Sequence, residues 1–187
     1  VLMLAAIHDC VELVSFFKEK LDQRKFEELL SSVDSEESGI LHYCAQYGAT
    51  AVLEELLKEN LIIQLIADDI PNAKGYTPQH IAAQKGMTDI LKQLSLGHAN
   101  FSAFDKQAHS SLYAAVLSGS SLTVSYLLEI AKCNLFVEDY WGAQGDVSLP
   151  LLNQRKDILQ QLKNRVSHIE HSLQTGVYSD ALQQVKS

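Results

Sequence analysis

Apolar side chains return along this chain at steps of three and four, the spacing of one face of an α-helix. Four short stripes follow this rule: Leu13, Val14, Phe16 and Phe17; Val52, Leu53, Leu56 and Leu57; Ile90, Leu91 and Leu94; and Val124, Leu127 and Leu128. Before three of them stands a pair of small residues, Cys44-Ala45, Ala82-Ala83 or Ala114-Ala115, then Gly48, Gly86 or Gly119. Small residues let neighbouring helices approach closely, and Gly takes the positive φ of a tight helix-to-helix turn at little cost. The pattern therefore predicts helix pairs joined by short turns. A longer stripe closes the chain: Leu152, then Leu159, Leu162, Val166, Ile169 and Leu173, the last five spaced 3, 4, 3, 4. That is coiled-coil spacing, interrupted on its early side by Arg155.

The pairs fall into register. Gly75-Tyr76-Thr77-Pro78-Gln79-His80-Ile81-Ala82-Ala83-Gln84-Lys85-Gly86 aligns with Gly39-Ile40-Leu41-His42-Tyr43-Cys44-Ala45-Gln46-Tyr47-Gly48. Ser110-Ser111-Leu112-Tyr113-Ala114-Ala115-Val116-Leu117-Ser118-Gly119 aligns too, as does Leu2-Met3-Leu4-Ala5-Ala6-Ile7-His8-Asp9, with Asp9 at the Gly position. The anchors at 9, 48, 86 and 119 lie 39, 38 and 33 apart. The first two intervals call for insertions of about five or six residues relative to a 33-residue unit. These are expected as extra turns at Asp22–Ser38 and Asn60–Asn72. Thr77-Pro78 reads as a helix start, with Thr capping free N–H groups and Pro at the first position.

These units resemble ankyrin repeats, whose pattern is Thr-Pro-Leu-His, two small residues, then Gly. Asp105 and Asp139 stand where that family places an Asp before its hairpin tip, and the match fades after Gly142. The resemblance implies an all-α ankyrin-repeat solenoid of about four helix-turn-helix repeats. Residues 1–145 are the array, with repeats at about 1–34, 35–71, 72–105 and 106–138 and the start of a degenerate hairpin at 139–145. The first repeat lacks its hairpin. Residues 146–187 are a C-terminal helical cap or extension. Three roles for this segment stay open: shielding the last repeat, a dimer seam over 152–173, and continuation into a longer protein. The segment from Leu127 to Phe136, followed by Asp139 and Trp141, also resembles the ankyrin tail of glutaminases. No glutaminase catalytic region accompanies it, so this likeness reads as shared repeat chemistry.

Composition narrows the function. Net charge is −8 and the pI about 5.3, with Lys and Arg scattered rather than striped, which argues against nucleic acid as a partner. No apolar run approaches the ~20 residues that span a bilayer. Three cysteines, Cys10, Cys44 and Cys133, match neither a disulfide scaffold nor a zinc motif, which favours an intracellular setting, cytoplasmic before nuclear. The chain begins at Val1 without Met and is read as part of a longer protein. His42/Cys44, His8/Cys10 and His168/His171 are pairs, short of the three or four ligands of a zinc site. Neither a Gly-rich phosphate loop nor a hydrolase or metalloprotease motif is present. We expect no enzyme activity, no metal and no cofactor.

What the ankyrin resemblance implies instead is a concave face of hairpin tips and inner helices that binds another protein. In this frame Asn72, Lys74 and Tyr76 lie on one tip, and Lys106, Gln107 and His109 on the next. Tyr140 and Trp141 lie on the last. The outward inner-helix positions are His8, Gln46, Tyr47, Gln84, Lys85, Leu117 and Ser118. The expected contact set is Gln46, Tyr47, Lys74, Tyr76, Gln84, Lys85, Lys106, His109, Tyr140 and Trp141. An alternative is an accessory domain that assembles or regulates an attached enzyme, or self-associates through its C-terminal helix.

Overall fold

The computed structural model describes residues 1–107 and 109–129, together with 157, 158, 160, 161, 164 and 167. It divides into two compact units, Val1–Val147 and Ser148–Ser187. In the second unit every described residue is helical and Ile158 is buried. The stripe from Leu159 to Leu173, and Tyr140 and Trp141, lie outside the described residues.

Among the described residues of the first unit ten helices follow one another: α1 (Leu2–His8), α2 (Val11–Lys20), α3 (Gln23–Leu30), α4 (Ile40–Tyr47), α5 (Thr50–Leu56), α6 (Asn60–Ala67), α7 (Pro78–Gln84), α8 (Thr88–Leu96), α9 (Ser111–Ser118) and α10 (Ser121–Glu129). Among the described residues there are no strands, only the single bridges Val33–Gly39 and Phe104–Ser110 at two hairpins. Four pairs emerge: α1/α2, α4/α5, α7/α8 and α9/α10. The inner helices α1, α4, α7 and α9 pack in a row, and α2, α5, α8 and α10 pack in a second row behind them.

The small residues make the inner row possible. Ala5, Cys44, Ala45, Ala82, Ala83 and Ala115 are fully enclosed. Leu53, Leu56, Leu91, Leu94 and Leu127 fill the space between rows. Each such side chain contributes about 1.5–3 kcal/mol relative to exposure. Each pair turns through a left-handed residue, Asp9 at φ 48°, Gly48 at φ 72°, Gly86 at φ 69° and Gly119 at φ 76°. Asp9 does more than fill a glycine position. Its carboxylate accepts from the N–H groups of Val52 (2.9 Å) and Ala51 (3.3 Å), capping α5 of the next repeat.

Three expectations change. The insertions at 22–38 and 60–72 are not mere turns but carry third helices, α3 and α6. Asp22 starts α3 by accepting from Lys25 N (2.9 Å), and Phe26 and Leu30 bury one face of it. Ile62 and Ile66 bury the matching face of α6. Thr77 does not cap its helix with its hydroxyl, which instead bonds Nδ1 of His80 at 2.8 Å. Phe16 is not core: it is 52% exposed while Val14, two residues away, is enclosed.

Candidate protein-binding face

Three hairpins are built on one device. Asp34 Oδ1 accepts from Glu36 N (2.7 Å) and Ser38 N (2.9 Å). Asn72 Oδ1 accepts from Lys74 N and Tyr76 N, at 3.1 and 3.0 Å. Asp105 Oδ1 accepts from Gln107 N and His109 N, both at 2.8 Å. A short carbonyl-bearing side chain thus takes up the N–H groups inside each loop, while one backbone bond, from Asp34, Asn72 or Asp105 N to the carbonyl of Ser38, Tyr76 or His109, closes its base. Asn72 is therefore buried, its amide also donating to Ser38 Oγ at 3.2 Å, and it is not a tip contact residue.

Histidines tie each hairpin to the next. His42 Nε2–H donates to the carbonyl of Tyr76 (3.1 Å), while its Nδ1 accepts from Gly39 N (3.2 Å). His80 repeats this with the carbonyl of His109 (3.0 Å) and Thr77 N (3.4 Å). A carbonyl can only accept and an N–H can only donate, so both rings are fixed as neutral Nε2–H tautomers. Burial is the main cause that lowers both pKa values from the usual histidine range. Tyr113 stands in the same place in the fourth repeat, and there the bridge gives way to ring stacking on His109.

Between the second and third repeats these supports leave a groove of about 400 Å³. Six expected contact residues line it: Gln46, Tyr47, Lys74, Tyr76, Gln84 and Lys85. Tyr47 is half exposed and Tyr76 partly so, while Gln46, Gln84, Lys74 and Lys85 are open to solvent. Lys106 and His109 sit on the next hairpin, outside the groove. The Lys106 stem crosses Gly75 and its ammonium donates to the carbonyl of Ala73. The His109 ring stacks on Tyr113 with centroids 4.1 Å apart and lies 3.3 Å from the Asp105 carboxylate.

Asp34, Glu36, Ser38 and Tyr43 line the groove and escaped the sequence reading. Tyr43 stacks on Tyr47 at 6.0 Å and donates its hydroxyl to Asp34 Oδ2 at 2.8 Å. Asp34 is held below the usual carboxylate range, first by Ser38 N–H and then by Tyr43, so it stays ionised beside the aromatic pair. Tyr43 and Asp34 were visible in principle. Tyr43 precedes Tyr47 by one helical turn, and Asp34 precedes Gly39 by the interval that separates Asp105 from Ser110. Glu36 answers Lys74 across the hairpins at 2.8 and 3.0 Å, both groups more than half exposed. Such a pair is worth about 0–1 kcal/mol. Lys85 is in no ion pair among the described residues, and neither is any group of three or more potential metal-ligating side chains found among them.

No helix among the described residues is long and apolar enough to cross a membrane. A family model described as ankyrin repeats in three copies matches residues 41–139, which hold the second to fourth helix pairs. The chain is also 37% identical over 71 residues to the potassium channel AKT2/3 of Arabidopsis thaliana. That stretch is 38% of this chain and 8% of the channel.

Proposed function

Because the chain belongs to the ankyrin-repeat family, whose members are generally protein–protein interaction modules, we propose that it binds a partner protein along the face formed by α4, α7, α9 and their hairpins. The observation that carries this reading is the groove between the second and third repeats. It offers aromatic faces from Tyr43, Tyr47 and Tyr76, amides from Gln46 and Gln84, and the ammonium of Lys85, which is in no ion pair among the described residues. Tyrosine presents large contact area with few torsions to immobilise, which suits an anchor. Lys74, Lys106 and His109 extend the contact along the hairpin tips, and Tyr140 and Trp141 would continue it. We assign the work to a reducing intracellular compartment, since Cys10 and Cys44 are free thiols. Catalysis is no part of this reading.

A second reading is favoured by the channel match, in which the shared stretch is a small part of a much longer protein. There the array would serve as an accessory module that assembles or regulates an attached activity, or self-associates through 152–173. The test uses the chain as bait with Tyr47→Ala/Tyr76→Ala beside Glu54→Ala/Lys92→Ala on the outer rows. The tyrosine pair should weaken capture of a partner by about thirtyfold, near 2 kcal/mol, with helicity intact. Loss with the outer pair and none with the tyrosines would move the contact to the other side of the array.

A further inference from the structure

Four copies of one unit allow each position to be compared with its own equivalents. Counting from the turn residues Asp9, Gly48, Gly86 and Gly119, Phe16 corresponds to Glu55, Gln93 and Tyr126, and Leu4 to Tyr43, Ile81 and Ala114. The later members of the first set reach back onto the preceding repeat. Gln93 Nε2 donates to the carbonyl of Thr50 (3.0 Å), and the Tyr126 hydroxyl donates to the carbonyl of Leu91 (3.5 Å). In the second set Ile81 lies against the groove that Tyr43, Gln46 and Tyr47 of the preceding repeat line. Position alone thus identifies Leu4 and Phe16 as belonging to a face that meets a preceding repeat.

Their exposure agrees. Ile81 is 8% and Tyr126 6% exposed, whereas Leu4 and Phe16 are each 52% exposed. Leu13 and Phe17 are half-buried while their equivalents Val52, Ile90 and Thr123, and Leu56, Leu94 and Leu127, are enclosed. Cys10 is half-buried, as are its equivalents Met87 and Ser120, while Ala49 is enclosed. Phe16 and Phe17 meet edge to face at 5.5 Å, which leaves one ring presented outward. We infer that this leading face of the first repeat is an inter-repeat interface that takes a further ankyrin-type helix pair, carried ahead of α1 in the same polypeptide. The occupant's chemistry follows from the interfaces already formed. It brings a small or left-handed turn residue against Cys10, as Gly48 meets Met87 and Gly86 meets Ser120. It also brings backbone carbonyls within reach of the first pair.

The test compares the 187-residue chain with the polypeptide as its gene encodes it, each with and without Leu4→Glu/Phe16→Glu. In the chain alone both side chains are half in water, and the melting midpoint should stay where it is. In the gene product the same pair should lower the midpoint by several degrees, and Leu4→Gln/Phe16→Gln by less. Cys10, followed by peptide-level mass spectrometry after maleimide labelling, should react quickly in the chain and slowly in the gene product. An unchanged midpoint in the gene product, or equal labelling of Cys10 in both, overturns the inference. So does a drop of equal size in the chain alone, which would make the face internal. A dimer of the chain that the acidic pair dissociates would assign the face to a second copy instead.

Discussion

His42 and His80 each spend both ring nitrogens on neutral-state bonds, one received from a backbone N–H and one given to a carbonyl. Protonation would force a second N–H of His42 toward Gly39 N, where only a lone pair fits; at His80 it would cost the bond from Thr77 N and require the Thr77 hydroxyl, 2.8 Å from Nδ1, to turn from donor to acceptor. Their folded pKa values lie below the unfolded value of about 6.5. The native state therefore binds fewer protons than the unfolded one as pH falls. The sign follows: stability is complete above pH ~7.5, erodes as pH drops through 6.5, and keeps eroding until the folded pKa is reached. Asp34, whose pKa is lowered, adds a further loss at more acidic pH, while Asp69, raised by burial, opposes it. Thermal melts between pH 8 and 5 should show this decline, and His42→Gln/His80→Gln should flatten the part above pH ~5. A wild-type profile already flat from 8 to 5 would mean the rings do not titrate in this way.

At the scale of elements, the helix pairs were legible because periodicity, small pairs and turn glycines all gave one answer. Leu41, Ala45, Ile81, Ala82 and Leu112 are enclosed as their register requires. The third helices are not legible in the spacing, since the excess length of an insertion does not say whether it is turn or helix. In α3 only Phe26, Leu29 and Leu30 are apolar, too few to stand beside the stripes of α5 or α8, while α6 is apolar at all but Asn60 and Gln64, so its buried face, Ile62 and Ile66, does not stand out as a stripe. The groove was legible as far as the frame set which residues face outward, and illegible where partners mattered. Nothing in the spacing shows that Asn72 would be consumed by its own turn, or that Asp34 would meet Tyr43. α6 also leaves a mark on α8. A Cβ at Gly97 would stand 3.1 Å from Ile66 Cβ and 2.5 Å from its Cδ1. Gly97→Ala should push these elements apart and cost about 1–3 kcal/mol by chemical denaturation. Adding Ile66→Ala should return part of that loss, and a simple sum of the two costs would deny the contact.

For the array as a whole, each repeat packs on itself and on its immediate neighbours, so stability should vary along it. α7 and α8 have a repeat on each side, whereas α1 and α2 have one on their trailing side only. Amide hydrogen exchange of the 187-residue chain should be fastest in the first pair and slowest in the third. Uniform protection would show that the unit opens as a single cooperative body.

The bonds between repeats have an unusual set of endpoints. Beside the side-chain pairs Asn72–Ser38, Lys74–Glu36 and Thr88–Thr123, His42, His80, Gln93, Lys106 and Tyr126 each donate to a main-chain carbonyl of another repeat, and Asp9 accepts from two main-chain amides. Every residue type supplies the carbonyl, and every type but proline the amide. A joint made this way asks nothing of the neighbour's side chain. Tyr76 and His109 can therefore drift to other residues while the carbonyls they contribute remain in place. These two outward side chains are the ones that meet a ligand in the reading above. Heredity is thus free to rewrite the recognition surface of one repeat without first rewriting the repeat that holds it.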